Sequence, residues 1–465
     1  MTTNRRPVVA GTLLAPLLAT PLLPTSELRG AVQDCPKGRQ CHLVHSCHPG
    51  VHGVLEGGLE MVPTIDASPL AGGVLDVETI LLNGDPGNRI DLVFVGDGYV
   101  ESELPAYGPR CLAALDELFA EEPFTSYRPF FNAHRVDVVS AESGVDNDPV
   151  EGIDRNTALG MTFFCNGIER LLCVSVNAAT DAANAAPDVD QIFAVANSTK
   201  YGGAGYSSAD IGTFSSDNIG SLQVAIHELG HSLGNLADEY DYGGAETWTG
   251  DEVPADNVSI LTAAQMADLQ SKWFRWLGHV QPILGTHDTF EGGQYHQFGI
   301  FRPTGNSMMR ELYQPFNMPS REALIVEFSK LVDLVEIRSP EGSEVPLDGI
   351  ASVEAVEPLH GLSYQWRRNG VAIEGATQAS LDLSTIEILQ IGDELSIEVI
   401  DPTDMVRDES ARLAFMRHQV AWQVAPREGP AADMNGDGLV NGADMGILLL
   451  YWGSPGTDGD LNDDG

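Results

Sequence analysis

Ala225-Ile-His227-Glu228-Leu-Gly-His231-Ser-Leu-Gly234 closes an apolar run that begins near Gly220. The spacing predicts a helix over residues 220–233, and residues four apart on a helix share one face. His227 and His231 then project together and can meet a single Zn2+, while Glu228 reaches a metal-activated water beside them. Gly234 reads as the break where the chain turns back, because glycine takes a positive φ without steric penalty. The chemistry expected of this set is metal-assisted hydrolysis of a peptide bond. Glu228 acts as general base and passes the proton to the leaving amine.

The pattern His-Glu-x-x-His-x-x-Gly is similar to that of the metzincins, whose third ligand would fall at Ala237, a residue that cannot bind metal. Asp238 and Glu239 follow it, and zinc accepts a carboxylate oxygen at about 2.0–2.2 Å. Asp238 is the expected third ligand, with Glu239 the alternative; whichever does not bind serves as a partner behind the ligands or caps the helix end.

The longer stretch His227-Glu-Leu-Gly-His231-Ser-Leu-Gly-Asn-Leu-Ala-Asp238-Glu-Tyr240 resembles the IgA-peptidase-like family of zinc metallopeptidases. The resemblance runs over residues 75–335. It includes Val95-Gly-Asp-Gly-Tyr99, Phe130-Phe-Asn132, Cys165-Asn-Gly-Ile-Glu-Arg-Leu-Leu-Cys173, Glu291-Gly-Gly-Gln-Tyr295 and Phe301-Arg-Pro-Thr-Gly-Asn-Ser-Met308-Met309-Arg310. It implies a secreted endopeptidase acting on a protein or peptide, without implying immunoglobulin A as that substrate. Met308 and Met309 resemble the methionine turn beneath the metal in that family. Ser307 stands where the resemblance leads one to expect a cysteine.

Outward from this centre, 465 residues at roughly 150 per domain suggest about three domains. Hydrophobic residues at 43% and charged residues at 20% exclude wholesale disorder. Twenty-five Lys and Arg against 67 Asp and Glu give a net charge of -42, which repels phosphate backbones, so nucleic acid is excluded as a partner. Arg5-Arg6 and the apolar run from Val8 to Leu23, interrupted by Pro16 and Pro21, read as an export signal over residues 1–30. That run falls short of the roughly 20 residues a spanning helix needs, so no membrane span is expected and the protein is read as secreted.

Six cysteines in an exported chain suggest disulfides. Cys165 and Cys173 flank seven residues and are expected to close that loop. Cys35, Cys41 and Cys47 are interleaved with His42, His45 and His48; a loop with one or two disulfides is preferred to a second metal site, because the spacing fits no standard zinc module. Residues 31–74, with little periodicity, are assigned as a Cys/Gly-rich segment and candidate propeptide. A cysteine switch from Cys35, Cys41 or Cys47 stays open.

Strands are expected at residues 74–82, 90–95, 133–140 and 190–195, with a helix over 112–119. This makes residues 75–334 an α/β (α+β) metzincin-like catalytic domain. Tyr201-Gly-Gly-Ala-Gly-Tyr206 reads as either a rim strand that accepts an extended peptide or a plain flexible loop. Tyr295 and Tyr313 are candidates to stabilise an oxyanion, and the spacing selects neither. Residues 335–420, with turn signals at Asn369-Gly370 and Glu374-Gly375, read as an all-β immunoglobulin-like sandwich with Trp366 in its core and no bracketing cysteine pair.

Asp433, Asn435, Asp437, Leu439, Asn441 and Asp444 occupy positions 1, 3, 5, 7, 9 and 12 of a calcium loop, and a helix over 443–452 follows. This resembles one repeat of a dockerin, a small α-helical tail over residues 431–465 in which a second loop starts at Asp460. The cofactors expected are therefore Zn2+ and Ca2+. Docking to a cohesin-like partner through Leu448, Leu449 and Tyr451 is one use of such a tail, and a stand-alone module is another. The competing functional reading is a non-catalytic secreted binding or scaffold-docked protein with a relic metal site; intact His227, Glu228 and His231 argue against it.

Overall fold

The computed structural model describes residues 35, 40–50, 53–65, 73–241, 246–426 and 439–451. The export signal, Asp433, Asn435, Asp437 and the loop starting at Asp460 lie outside the described residues.

The chain opens with β1 (Cys41–Pro49), β2 (Leu55–Pro63), β3 (Val74–Leu81) and β4 (Ile90–Asp97), followed by α1 (Leu104–Leu118) and β5 (Phe131–Val138). Next come α2 (Val176–Ala183), β6 (Gln191–Ala196), β7 (Gly203–Tyr206), β8 (Ile211–Ser215) and α3 (Ile219–Ser232). The eight strands form one sheet in the order β2-β1-β7-β8-β6-β4-β5-β3. Its centre is parallel, and its margins, including β7 on β8 and β1 on β7, are antiparallel.

All eight residues of β4 are buried, as expected of a central strand covered on both faces. Because side chains alternate, Leu92 and Phe94 enter one core with Leu115 of α1 and Leu229 of α3. Val93 and Val95 enter the other, with Ala179 and Ala182 of α2. The sheet is thus sandwiched between helices, and α3 lies against β7 and β8.

Three expectations change here. Cys41–Pro49 and Leu55–Pro63 pair antiparallel from Cys41↔Pro63 to Pro49↔Leu55, so this part of 31–74 is not an aperiodic segment. Polar His45 and Gly57-Gly58 mask its alternation, and its burial comes from the rest of the molecule. The helix expected at 112–119 begins at Leu104, with a proline in its first turn. Of the stretch 201–206, Gly203–Tyr206 form a buried strand with β1 on its outer side, neither a rim nor a flexible loop.

Beyond α3 lie α4 (Ala263–Leu269), the two-residue pair β9 (Val280–Gln281) and β10 (Gly285–Thr286), the hairpin β11 (Phe290–Gly293) with β12 (His296–Arg302), and α5 (Met318–Leu331). The chain then builds β13 (Val335–Ser339), β14 (Glu344–Pro346), β15 (Ile350–Ala355), β16 (Ser363–Arg368), β17 (Val371–Ala372), β18 (Ser380–Asp382), β19 (Glu394–Ile400), α6 (Glu409–Phe415) and β20 (Arg417–Ala425). These strands form two sheets, β13-β15-β18 and β14-β20-β19-β16-β17. Trp366 is buried between them and stacks on Trp422 with ring centroids 5.8 Å apart. Asn369 and Gly370, both with positive φ, turn β16 into β17. The architecture is therefore mixed α/β with several sheets and more than one core.

The β module is tied to the first core. The Arg89 guanidinium meets Glu336 at 2.6 Å and holds its carboxyl below the usual range. The Tyr127 hydroxyl donates to Asp401 at 2.6 Å. The last described element, α7 (Gly442–Tyr451), begins with Asn441 Oδ1 accepting from the Ala443 amide at 2.8 Å. No helix of the described residues is long and apolar enough to cross a membrane.

Candidate metal centre

α3 is started by the Asn218 side chain, which accepts from the Gly220 amide. In its last two turns it presents His227 and His231, whose Nε2 atoms lie 3.2 Å apart. Asp238 Oδ1 sits 3.1 Å from the first and 3.3 Å from the second. Four ligands at about 2.0–2.2 Å in a tetrahedron have donors about 3.3–3.6 Å apart, so the three fit one small cation.

Tautomers strengthen the fit. His227 Nδ1 donates to the Met308 carbonyl at 3.0 Å, and His231 Nδ1 donates to the Leu236 carbonyl at 2.7 Å. With a hydrogen fixed on each Nδ1, two imidazole lone pairs and a carboxylate oxygen converge on one point, an arrangement that calls for a cation or a proton.

The return of the chain differs from the expectation at Gly234. The left-handed residue is Asn235, with φ 50. Gly234 is required for space, since a Cβ there would stand 2.9 Å from both the Gly230 carbonyl oxygen and Leu324 Cδ2. The Leu236 amide then closes the helix end by donating to Gly230 O at 3.0 Å.

What separates Asp238 from Glu239 is an amide far along the chain. Asn257 donates to the Ala237 carbonyl and accepts from the Ala237 amide, pairing with this extended segment as a strand would. Successive side chains then face opposite ways. Asp238 faces the histidines, and Glu239 is buried behind them, bound by Ser307 at 2.7 Å, Asn317 at 2.8 Å and Asn257 at 2.9 Å. Ser307 thus has a bond to make at the position where a cysteine was expected. Met308 and Met309 are both fully buried below, and the Met309 carbonyl accepts from the Glu239 amide.

Glu228 lies one residue round the helix, with both oxygens buried and lacking a hydrogen-bond partner. A Cβ on Gly205 of β7 would overlap its Oε2, so the carboxylate lies against β7. Burial raises Glu228 to about 7, although the charges of His231 and His227 pull it down. Burial opposes charge on His231, but the Asp238 carboxylate outweighs it and lifts that imidazole to about 9. Asp238 is also pushed up by burial, yet His231 and the bonds from His227, His231 and His45 hold it well below the carboxylate range. Without a cation, the converging lone pairs capture a proton.

Three further side chains enter the site: Tyr295, one of two oxyanion candidates of the sequence, Cys47, one of three cysteines left open to a switch, and His45, which the sequence does not place there. The Tyr295 hydroxyl donates to Asp238 Oδ2, the carboxylate that faces the histidines, while Tyr313 is largely exposed. From β1, His45 stacks on His231 with centroids 4.0 Å apart, and Cys47 Sγ lies 3.3 Å from His227 Nε2. Donor atoms of Cys47, His227, His231 and Asp238 all fall within 4.8 Å of one another. The period-2 placement of His45 and Cys47 was the available signal. One disulfide of the loop expected there does form, between Cys35 and Cys41. Cys165 and Cys173 are also bonded, closing their loop, and two disulfides suit an extracellular protein.

Asp97, in the Val95-Gly-Asp-Gly-Tyr99 stretch, has a bracing role. Its carboxylate accepts from the Leu159 and Met161 amides and from Thr157 and Ser140, fastening the loop after β5 to the end of β4. At the tail, Leu439, Asn441 and Asp444 are described, and Asp444 Oδ2 accepts from the Asn441 amide at 2.7 Å.

The chain has no match among curated proteins. Residues 79–288, the stretch carrying His227, Glu228, His231 and Asp238, match the model of a family described as IgA Peptidase M64, which makes this part of the chain similar to metallopeptidases and indicates a peptidase, a hydrolase.

Proposed function

We propose that the protein is a secreted zinc-dependent endopeptidase in which His227, His231 and Asp238 hold the metal and Glu228 is the general base. The observation that carries this reading is the convergence of two Nε2 lone pairs and one carboxylate oxygen within 3.1–3.3 Å, beside a buried Glu228 with no hydrogen-bond partner. When bound there, zinc supplies a Lewis acid that polarises a carbonyl and makes water acidic near neutral pH.

The chain's own groups do the rest. The carbonyls of Met308 and Leu236 orient the two imidazoles, and Tyr295 orients Asp238. Glu228, poised near neutrality, takes the proton of the attacking water and delivers it to the leaving amine. Residues 75–334 are the catalytic domain, residues 335–420 an immunoglobulin-like sandwich, and residues 431–465 a calcium-binding dockerin-like repeat with Leu439, Asn441 and Asp444 among its ligands. Export through residues 1–30 accords with the two disulfides.

The test is metal analysis of the purified chain beside cleavage of casein or gelatin, with and without a zinc chelator. About one zinc per chain, lost with cleavage on chelation, supports the reading. A chain that cleaves equally well without metal would overturn it.

A further inference from the structure

A thiol of the chain itself stands beside the three donors, with all four donor atoms within 4.8 Å of one another. Cys47 is a buried free thiol whose Sγ lies 3.3 Å from His227 Nε2 and 3.4 Å from the Tyr240 hydroxyl. Thiolate is among the ligands zinc prefers, at about 2.3 Å, and a sulfur so bound would stand about 3.6 Å from a histidine ligand in a tetrahedron. A second observation is independent of the thiol. His45, two residues earlier and on the same face of β1, also enters the site, stacking on His231 and placing Nδ1 3.7 Å from Asp238 Oδ2.

The strand that carries both residues is firmly held. β1 pairs with β2 along its whole length, Cys35 bonds to Cys41 at its start, and the Leu55 amide of the hairpin donates to the Arg310 carbonyl just past Met308-Met309. β1 also lies antiparallel on β7, pairing His45 with Gly205, whose Cα hydrogen side faces Glu228. An extended peptide presented to Glu228 would add to that same edge of β7. The hairpin therefore occupies both the strand position of a substrate and the coordination position that a catalytic zinc site keeps open.

We propose that the β1–β2 hairpin is an intramolecular inhibitor in which the Cys47 thiolate is the fourth ligand of the metal, so that the chain is latent until the hairpin withdraws. The proposal rests on the metallopeptidase reading above. Ligation releases the thiol proton to solvent; withdrawal lets water take the vacated position and returns a proton to sulfur. No oxidant or reductant takes part.

The experiment uses the full chain with cobalt in place of zinc. A thiolate-to-cobalt charge-transfer band in the near ultraviolet is expected, and it disappears in Cys47→Ser and Cys47→Ala while cobalt stays bound. In the zinc form, alkylation of Cys47, located by peptide mapping, should be slow and should quicken on chelation. Hydrolysis by the zinc forms of both variants should exceed that of the parent by about tenfold or more, as expected on removing a tethered competitor. A parent chain that binds one cobalt without the band overturns the inhibitory ligand and leaves the metallopeptidase reading intact. Failure to bind any metal overturns both. Because the spectrum is read on the unaltered chain, misfolding of a variant does not obscure the result.

Discussion

The Tyr295 hydroxyl donates to Oδ2 of Asp238 while Oδ1 of the same carboxylate faces His227 and His231. A single carboxylate thus joins the hairpin loop after β11 to the end of the histidine helix. Tyr295→Phe should leave the fold intact and weaken metal affinity by about 10- to 100-fold, the usual cost of losing a group that orients a ligand. Competition with a zinc-chelating dye measures it, and unchanged affinity would remove Tyr295 from the support of the site.

Glu228→Gln keeps the volume of the side chain and removes its capacity to accept a proton. Zinc content should remain at the parent level while kcat falls by about 10²- to 10⁴-fold. Cleavage of an unfolded protein at the parental rate would assign the base elsewhere.

Asp238 and Glu239 are neighbours on opposite faces and should fail differently. Asp238→Ala should abolish zinc retention. Glu239→Ala should retain zinc but leave Ser307, Asn257 and Asn317 without their acceptor, costing about 1–3 kcal/mol of stability. Metal analysis and denaturant melts of both variants distinguish the two, and equal zinc retention would defeat the carboxylate assignment.

The metal-free protein should lose stability as pH rises. His231 is raised from 6.5 to about 9 in the fold, so its contribution is complete below pH 6.5 and is lost by about pH 9. Glu228, raised from 4.5 to about 7, adds a loss in the same direction over that lower window. Asp238 is depressed, so its contribution is lost on the acid side, as pH falls below the ordinary carboxylate range. Thermal melts in chelator should therefore decline between pH 6.5 and 9, and His231→Gln should flatten that decline. A parent melting temperature that holds constant over this window would contradict the proton trapped among the ligands.

Asp401 fastens the β module to the first core by accepting from Tyr127 at 2.6 Å, and within the module it meets His360 at 2.7 Å. Asp401→Ala strands the buried Tyr127 hydroxyl and should cost about 1–3 kcal/mol, seen as an earlier urea midpoint. Zinc content should not change, since the contact lies outside the ligand cluster.

The helix of the site was legible because its information is local. His227, Glu228 and His231 are placed by a single helical period, and the flanking apolar residues announce the burial of that helix. The buried strand β4 was legible for the same reason, as a short apolar run ended by Gly96-Asp97-Gly98. The hairpin β1–β2 was not. Its strands carry histidines, cysteines and glycines whose burial depends on α3 and β7 lying against them, so no amphipathic pattern is written along the segment itself.

The sequence by itself determined the histidine helix, the pair of adjacent carboxylates that follows it and the general order of strands and helices, because each follows from periods of two to four residues. Only the tertiary structure decided which carboxylate turns toward the histidines, through the pairing of Asn257 with Ala237. It alone brought Cys47 to His227 from 180 residues away. Contacts of that range are set by sheet order and by the burial available when distant elements pack, and no local period encodes them.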